Sequence, residues 1–212
     1  GSVMIRDISK REKECFVFLN LIPKEKQYVI IGGYAVSSFG FPRFSVDLDI
    51  VLNEKELTFF KKLISDNNFK LAVEKNDLSY YGRFERYEKD LVSIDLLING
   101  VQSRQTGYFY SFNHIFKDSQ IRELSGWDPS HKAKVRIAKK EMLIAMKTQS
   151  MRMADKRDIV MLCYKKPNVE NIVYNLRKCP KEKIISNIDE LMVAFNDKNF
   201  KDSLKGVYSV NN

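Results

Sequence analysis

Four residues suited to a buried strand, Tyr28-Val-Ile-Ile31, run straight into Gly32-Gly33, and thirteen residues later the chain reads Asp47-Leu-Asp49-Ile50. Over residues 46–52, Val46, Leu48, Ile50 and Leu52 alternate with Asp47, Asp49 and Val51, the two-residue period of a strand with one buried face. Side chains at i and i+2 of a strand point the same way, so Asp47 and Asp49 share one face. Two apolar strands linked through a glycine pair and a short spacer demand a sheet with helices packed on it. The paired acids require that one end of the sheet stay open.

Closely spaced carboxylates on a rigid element suit hard divalent cations. In an in-line phosphoryl displacement, charge develops on the attacking oxygen and on the leaving pyrophosphate. Two cations about 3.5–4 Å apart stabilise both ends. Glycines lack Cβ atoms, so the backbone at Gly32-Gly33 can approach a triphosphate closely. A short helix over residues 34–39 then turns its N–H groups toward the phosphates. Singly, each feature has a plain structural explanation: Gly-Gly makes a turn, and Asp-x-Asp makes a solvated strand edge. In this order they point to nucleotidyl transfer.

The formal net charge is +9. Residues 1–129 hold 18 Lys+Arg against 18 Asp+Glu, whereas residues 130–212 hold 18 against 9, so the whole excess lies in the last part of the chain. That asymmetry favours a polyanionic partner, an NTP or a nucleic acid. The alternative is a solvated basic helical surface. If the acceptor is RNA, Lys132, Lys134, Arg136, Lys139 and Lys140 are the phosphate contacts to expect.

With 44% hydrophobic and 30% charged residues the chain is expected to fold as a globular protein. No apolar run approaches the roughly 20 residues of a membrane helix, and the N-terminus lacks an apolar signal core. Cys15, Cys163 and Cys179 are odd in number and far apart, which suggests reduced thiols and a cytoplasmic location.

Helical patterns are expected over 9–21 and 54–66, the latter capped by Asn53, with strands over 70–75, 83–87 and 91–98. Residues 101–129 carry no clear period. Four helices are expected over 138–152, 156–165, 169–178 and 182–196, separated at Pro167 and Pro180, and the last dozen residues are expected to fray. The fold class expected is α/β (α+β): a mixed β-sheet flanked by helices and followed by a C-terminal helical domain. The catalytic core would span 3–130 and the basic helical domain 131–212.

The segment IGGYAVSSFGFPRFSVDLDIVL resembles the signature of the DNA polymerase β-like nucleotidyltransferases: a hydrophobic residue, Gly, then Gly or Ser, a spacer, and two acids alternating with hydrophobic residues. More narrowly, Gly32, Gly33, Ala35, Gly40, Arg43, Ser45, Asp47 and Asp49 resemble the pattern of the AbiEii-like abortive-infection toxin nucleotidyltransferases. The resemblance implies a third carboxylate on a later strand, and Asp95 within Val92-Ser-Ile-Asp-Leu-Leu-Ile98 meets that description. A buried carboxylate needs a partner, and a metal shared with Asp47 and Asp49 would supply one.

A second match, Lys147 … Arg152 … Lys156-Arg157-Asp158, implies that Lys147 contacts the nucleotide phosphates and that Asp158 completes the edge of the site. Met161 stands where relatives often carry a further acid. The resemblance further implies Mg2+ or Mn2+ as cofactor, an NTP as substrate, tRNA or other RNA as acceptor, and an antitoxin protein as partner. A small molecule of the antibiotic type or a protein hydroxyl could equally be the acceptor, and a non-catalytic nucleotide- or RNA-binding relative is the rival from another class.

Ser37, one of the two serines beside the phosphate loop, is a candidate phosphate donor, and Arg43 could serve a phosphate or a structural ion pair. Arg83, Arg86 and Tyr87 lie on a strand expected beside the site. His114 and His131 lack metal-ligand spacing. No G-x-x-x-x-G-K-[ST] loop or G-x-S-x-G elbow occurs in the sequence, which sets P-loop ATPases and that class of hydrolases aside.

Overall fold

The apolar runs of the N-terminal half become adjacent strands because each is buried on both sides. In the computed structural model, which describes residues 2–45, 47–75 and 83–208 with side chains from Asp7 onward, β1 (Tyr28–Ile31) and β2 (Asp47–Leu52) form an antiparallel pair. Val46, the expected first residue of β2, lies outside the described residues. Between the two strands runs α2 (Gly32–Ser37), which begins at the glycines themselves rather than after them.

The other strands are β3 (Lys70–Lys75), β4 (Arg83–Lys89), β5 (Val92–Ile98), β6 (Gly100–Gln102), β7 (Phe109–Ser111), β8 (Ser119–Ser125) and β9 (Lys132–Ala138). Seven of them make one sheet in the order β3-β4-β5-β2-β1-β9-β8, and β6 and β7 pair separately. β2 runs parallel to β5 and β1 parallel to β9, while the remaining neighbours in this sheet are antiparallel. The fold is therefore α/β with a central mixed sheet flanked by helices. Val29, Ile30, Leu48, Ile50, Val51, Leu52, Ile94 and Leu96 are fully buried in its middle.

The opening helix α1 spans Ser2–Asn20, starting earlier than its apolar period indicated. A 3-10 turn (Glu54–Glu56) leads into α3 (Leu57–Asp66), and the Asn53 side chain accepts a hydrogen bond from the Lys55 N–H at 3.0 Å, as expected of an N-cap.

Residues 101–129 resolve into most of β6, then β7, α4 (Phe112–Lys117) and β8. β9 was hidden by its charges. Lys132 and Lys134 face solvent, Arg136 is half-buried, and Ala133, Val135 and Ile137 between them are buried, a strand period read at first only as basic sequence. Because β9 lies between β1 and β8, the sheet continues past the expected domain boundary at 130/131.

The helical part comprises α5 (Lys140–Ser150), α6 (Met153–Leu162), α7 (Val169–Leu176), α8 (Lys181–Phe195) and α9 (Lys198–Val207). α5 packs against α6, α7, α8 and α2, so the helices are bound to the sheet layer through it. As far as residue 208, α9 corrects the expectation that the last dozen residues fray; residues 209–212 lie outside the described residues. Phe200 is buried, and Tyr208 beyond the helix is buried too and pairs with Arg43. Cys15 and Cys179 are buried and Cys163 is exposed, all as free thiols. Among the described residues, no helix is long and apolar enough to cross a membrane.

Candidate active site

Strand register brings the three predicted carboxylates to one end of the sheet. Asp47 lies opposite Ser93 and Asp49 opposite Asp95 across the parallel β2–β5 pair. Asp95 lies opposite Arg86 across β5–β4, and Asp49 opposite Ile31, the last residue before the glycines, across β2–β1. Four adjacent strands thus converge where β1 turns into α2.

The glycine pair is required by this convergence. Gly32 has φ +72°, and a Cβ there would sit 2.2 Å from Asp49 Oδ2. A Cβ on Gly33 would meet the Arg43 guanidinium at 2.8–3.0 Å. The space first read as room for a triphosphate is thus used by Asp49 and Arg43, which lie against bare backbone. No side chain caps the N-terminus of α2.

Charge is distributed unevenly over the three acids. Asp95 is 4% exposed, and Arg86 grips it with both prongs, Nε donating to Oδ1 at 2.7 Å and Nη2 to Oδ2 at 2.8 Å. The partner that Asp95 needs is therefore present within the chain, an arginine on the next strand. Asp47 is exposed and accepts a hydrogen bond from Ser93 Oγ. Asp49 is half-buried and carries the strain of the cluster. Loss of solvent, then repulsion from Asp95 and Asp47, push its carboxyl up to about 8, with Lys147 working in the other direction.

A group whose folded pKa is raised contributes stability that is full below its unfolded value and lost as pH rises through the folded one. For Asp49 that window runs from 3.8 to about 8. Asp49→Asn should therefore leave the metal-free protein little changed near pH 4 and progressively more stable than wild type toward pH 8. Melting curves taken across this range, without divalent cations, measure the difference. A stability gap that does not widen with pH contradicts the repulsion.

Behind the carboxylates lies a second charged cluster. Asp158 is 0% exposed and receives Arg43 Nε at Oδ1 and Arg43 Nη2 at Oδ2, both at 2.9 Å, Lys147 Nζ at 2.9 Å, and the Tyr208 hydroxyl. Lys147 also pairs with Asp155 at 3.3 Å, and Asp155 with Arg152 at 3.1 Å. Burial alone would raise the Asp158 carboxyl, but Lys147 and Arg43 outweigh it and hold the carboxyl below its usual range. Lys147 and Arg43 thus already have carboxylate partners, and both lie at the edge of the site: Arg43 over Gly33, Lys147 within electrostatic reach of Asp49.

Ser37 is 5% exposed, its hydroxyl donating to the Gly33 carbonyl at 3.1 Å and accepting from the Arg43 N–H at 3.2 Å, so it braces the loop. His131 pairs with Glu12 at 2.8 Å and His114 with Asn175 at 2.9 Å, both as packing contacts. Ser93, Tyr208 and the grip of Arg86 escaped the sequence reading. Of these only Arg86 left a signal, as one of two arginines, with Arg83, on a strand expected beside the acids.

No group of three or more acidic, histidine or cysteine side chains is arranged to hold a metal ion among the described residues. Two observations bear on whether a divalent cation fits. Asp47 and Asp49 share one face, and the raised Asp49 carboxyl reports excess negative charge that a cation would relieve. Asp95 lies beside them with each oxygen accepting one hydrogen bond from Arg86, which leaves each a lone pair for a further partner. Asp47, Asp49 and Asp95 are thus the residues that would hold a cation.

No protein-family model matches the sequence. No curated protein matches it either. Among solved structures, the chain is similar to the lincomycin-bound crystal structure of the lincosamide antibiotic adenylyltransferase LnuA. The identity is 19%, the TM-score 0.42, and the match covers 65% of this chain and 85% of that one. It is also similar to a protein from H. pylori assigned as a nucleotidyltransferase, at 18% identity and a TM-score of 0.46, over 92% of this chain and 86% of that one.

Proposed function

We propose that this protein is a metal-dependent nucleotidyltransferase that moves a nucleoside monophosphate from an NTP to an acceptor hydroxyl. The observation that carries this reading is the convergence of Asp47, Asp49 and Asp95 on neighbouring strands where β1 runs into Gly32-Gly33. When bound, Mg2+ or Mn2+ supplies charge neutralisation at the attacking and leaving oxygens. Asp47 and Asp49 would hold it.

Arg43 and the uncapped amides of α2 face the phosphates across Gly33, and Lys147 sustains the positive potential from behind. Asp95 orients the acceptor hydroxyl and takes its proton. The acceptor oxygen bonds to the α-phosphorus, the bond to the bridging oxygen breaks, and pyrophosphate leaves. Arg86 holds Asp95 in place through both oxygens, each of which keeps a lone pair for the acceptor hydroxyl.

For the acceptor we favour RNA, on the basis of the excess charge of residues 130–212. The test is incubation of the full chain with each labelled NTP, Mg2+ or Mn2+, and total RNA. Release of pyrophosphate with label in RNA is the expected result, together with a higher melting temperature in metal and NTP. Label in a small molecule or protein would replace RNA as acceptor. No pyrophosphate from any NTP, and a melting curve indifferent to all four, would leave a non-catalytic relative as the reading.

A further inference from the structure

At the end of α2 away from the glycine pair, Phe39, Arg122, Lys139, Lys140, Glu141 and Lys165 line most of a cavity of about 440 Å³. Lys140 starts α5 and Lys147 lies two turns on, so the cavity end of this helix is roughly 10 Å from Lys147. We propose that the cavity is a second ligand site, which binds a phosphorylated compound carrying two or more negative charges.

Four cations face one carboxylate around this cavity, and the chain satisfies them only in part. Lys165 has no ion-pair partner among the described residues. Lys139 has a distant one, Asp118 at 3.8 Å. The Lys140 ammonium donates to the Lys165 carbonyl at 2.6 Å, a neutral acceptor that leaves its charge uncompensated. Arg122 lies over the Phe39 ring at 4.4 Å and donates from Nη2 to the Ser38 carbonyl at 3.1 Å, while its buried Nε has no partner. Glu141 is engaged by the Asn168 N–H at 3.0 Å.

Like charges held together repel unless an anion joins them. A phosphate group accepts from a guanidinium fork and from several ammonium groups at once, which a carboxylate of the chain does less well. The volume exceeds that of one inorganic phosphate and leaves room for a polyphosphate, a nucleotide, or a stretch of phosphodiester backbone. Lys132 and Lys134 are exposed on β9 and do not line this cavity.

The experiment is binding to the full chain without divalent cations, so that its outcome does not depend on nucleotidyl transfer. The probes are tripolyphosphate, followed by calorimetry, and a labelled single-stranded oligoribonucleotide, followed by anisotropy. Lys139→Gln with Lys165→Gln should weaken binding at least about tenfold, the size of one lost charge-assisted hydrogen bond. For the oligonucleotide the log–log salt slope should flatten by about 0.7 for each phosphate contact removed. Lys132→Gln with Lys134→Gln, which lie outside the cavity lining, should leave tripolyphosphate binding unchanged.

Competition between the two probes identifies phosphate groups in general as the ligand; binding of one alone identifies a small polyphosphate or a nucleic-acid backbone. Binding of neither, or an equal loss of tripolyphosphate binding from the β9 pair, overturns the proposal. Arg122→Gln, which leaves the lysines in place, gives an independent reading should the double variant fold poorly.

Discussion

Asn at both positions 47 and 49 is expected to lower nucleotidyl transfer by more than about a hundredfold, since these side chains are the proposed ligands themselves and not their supports. The fold should survive. Asp47 is exposed, and the Ser93 hydroxyl that it accepts from can bond an amide oxygen equally well. Asp49 is disfavoured as an anion, with its carboxyl pushed up to about 8, so an uncharged replacement of the same shape removes repulsion from the metal-free protein. The signature is thus a loss of turnover with an unchanged or raised melting temperature at pH 8. Pyrophosphate release and thermal melting on the same samples check both halves. Turnover above a few per cent of wild type in the double variant rules out the assignment of the site.

Asp158→Ala should have the largest effect on stability. Its carboxylate is fully buried and is shared by Arg43, Lys147 and Tyr208, so its removal leaves two cations facing each other without their common anion. Breaking a buried pair in this way costs about 3–5 kcal/mol. For a chain of this length that corresponds to a fall in melting temperature on the order of 10 °C. Arg43 also lies over Gly33, so what remains folded should bind nucleotide less well. A loss below about 1 kcal/mol in denaturant unfolding would mean that Arg43 and Lys147 re-pair locally, through Asp155 for instance, and that Asp158 does not clasp the tail to the sheet.

The readable parts of the fold were those in which local period and burial agree. β1, β2, β5, α3 and the helices α5 to α8 follow from apolar spacing, and their ends lie within a few residues of those expected. β9 was missed because its outward residues are Lys132, Lys134 and Arg136, and a run of cations obscures the buried Ala133, Val135 and Ile137 between them. β6 and β7 are three residues each, too short for any period to register. α9 was missed because a mostly polar helix with one buried aromatic, Phe200, resembles a frayed terminus until that aromatic finds its pocket.

Within the site, Asp47, Asp49 and the glycine pair could be named from sequence because their relation is local: two residues apart on a strand, or adjacent at its end. The assignment of partners could not. Asp95 is paired by Arg86, nine residues earlier, through antiparallel register between β4 and β5. Asp158 is joined to Arg43 across 115 residues, and to Tyr208 across 50. The sequence alone determined which strand carries adjacent carboxylates and where backbone without Cβ must stand, since both depend on geometry repeated every two residues. Only the tertiary structure decided which charges those carboxylates meet, because desolvation and ion pairing are settled by what packs within a few ångströms, whatever the separation along the chain.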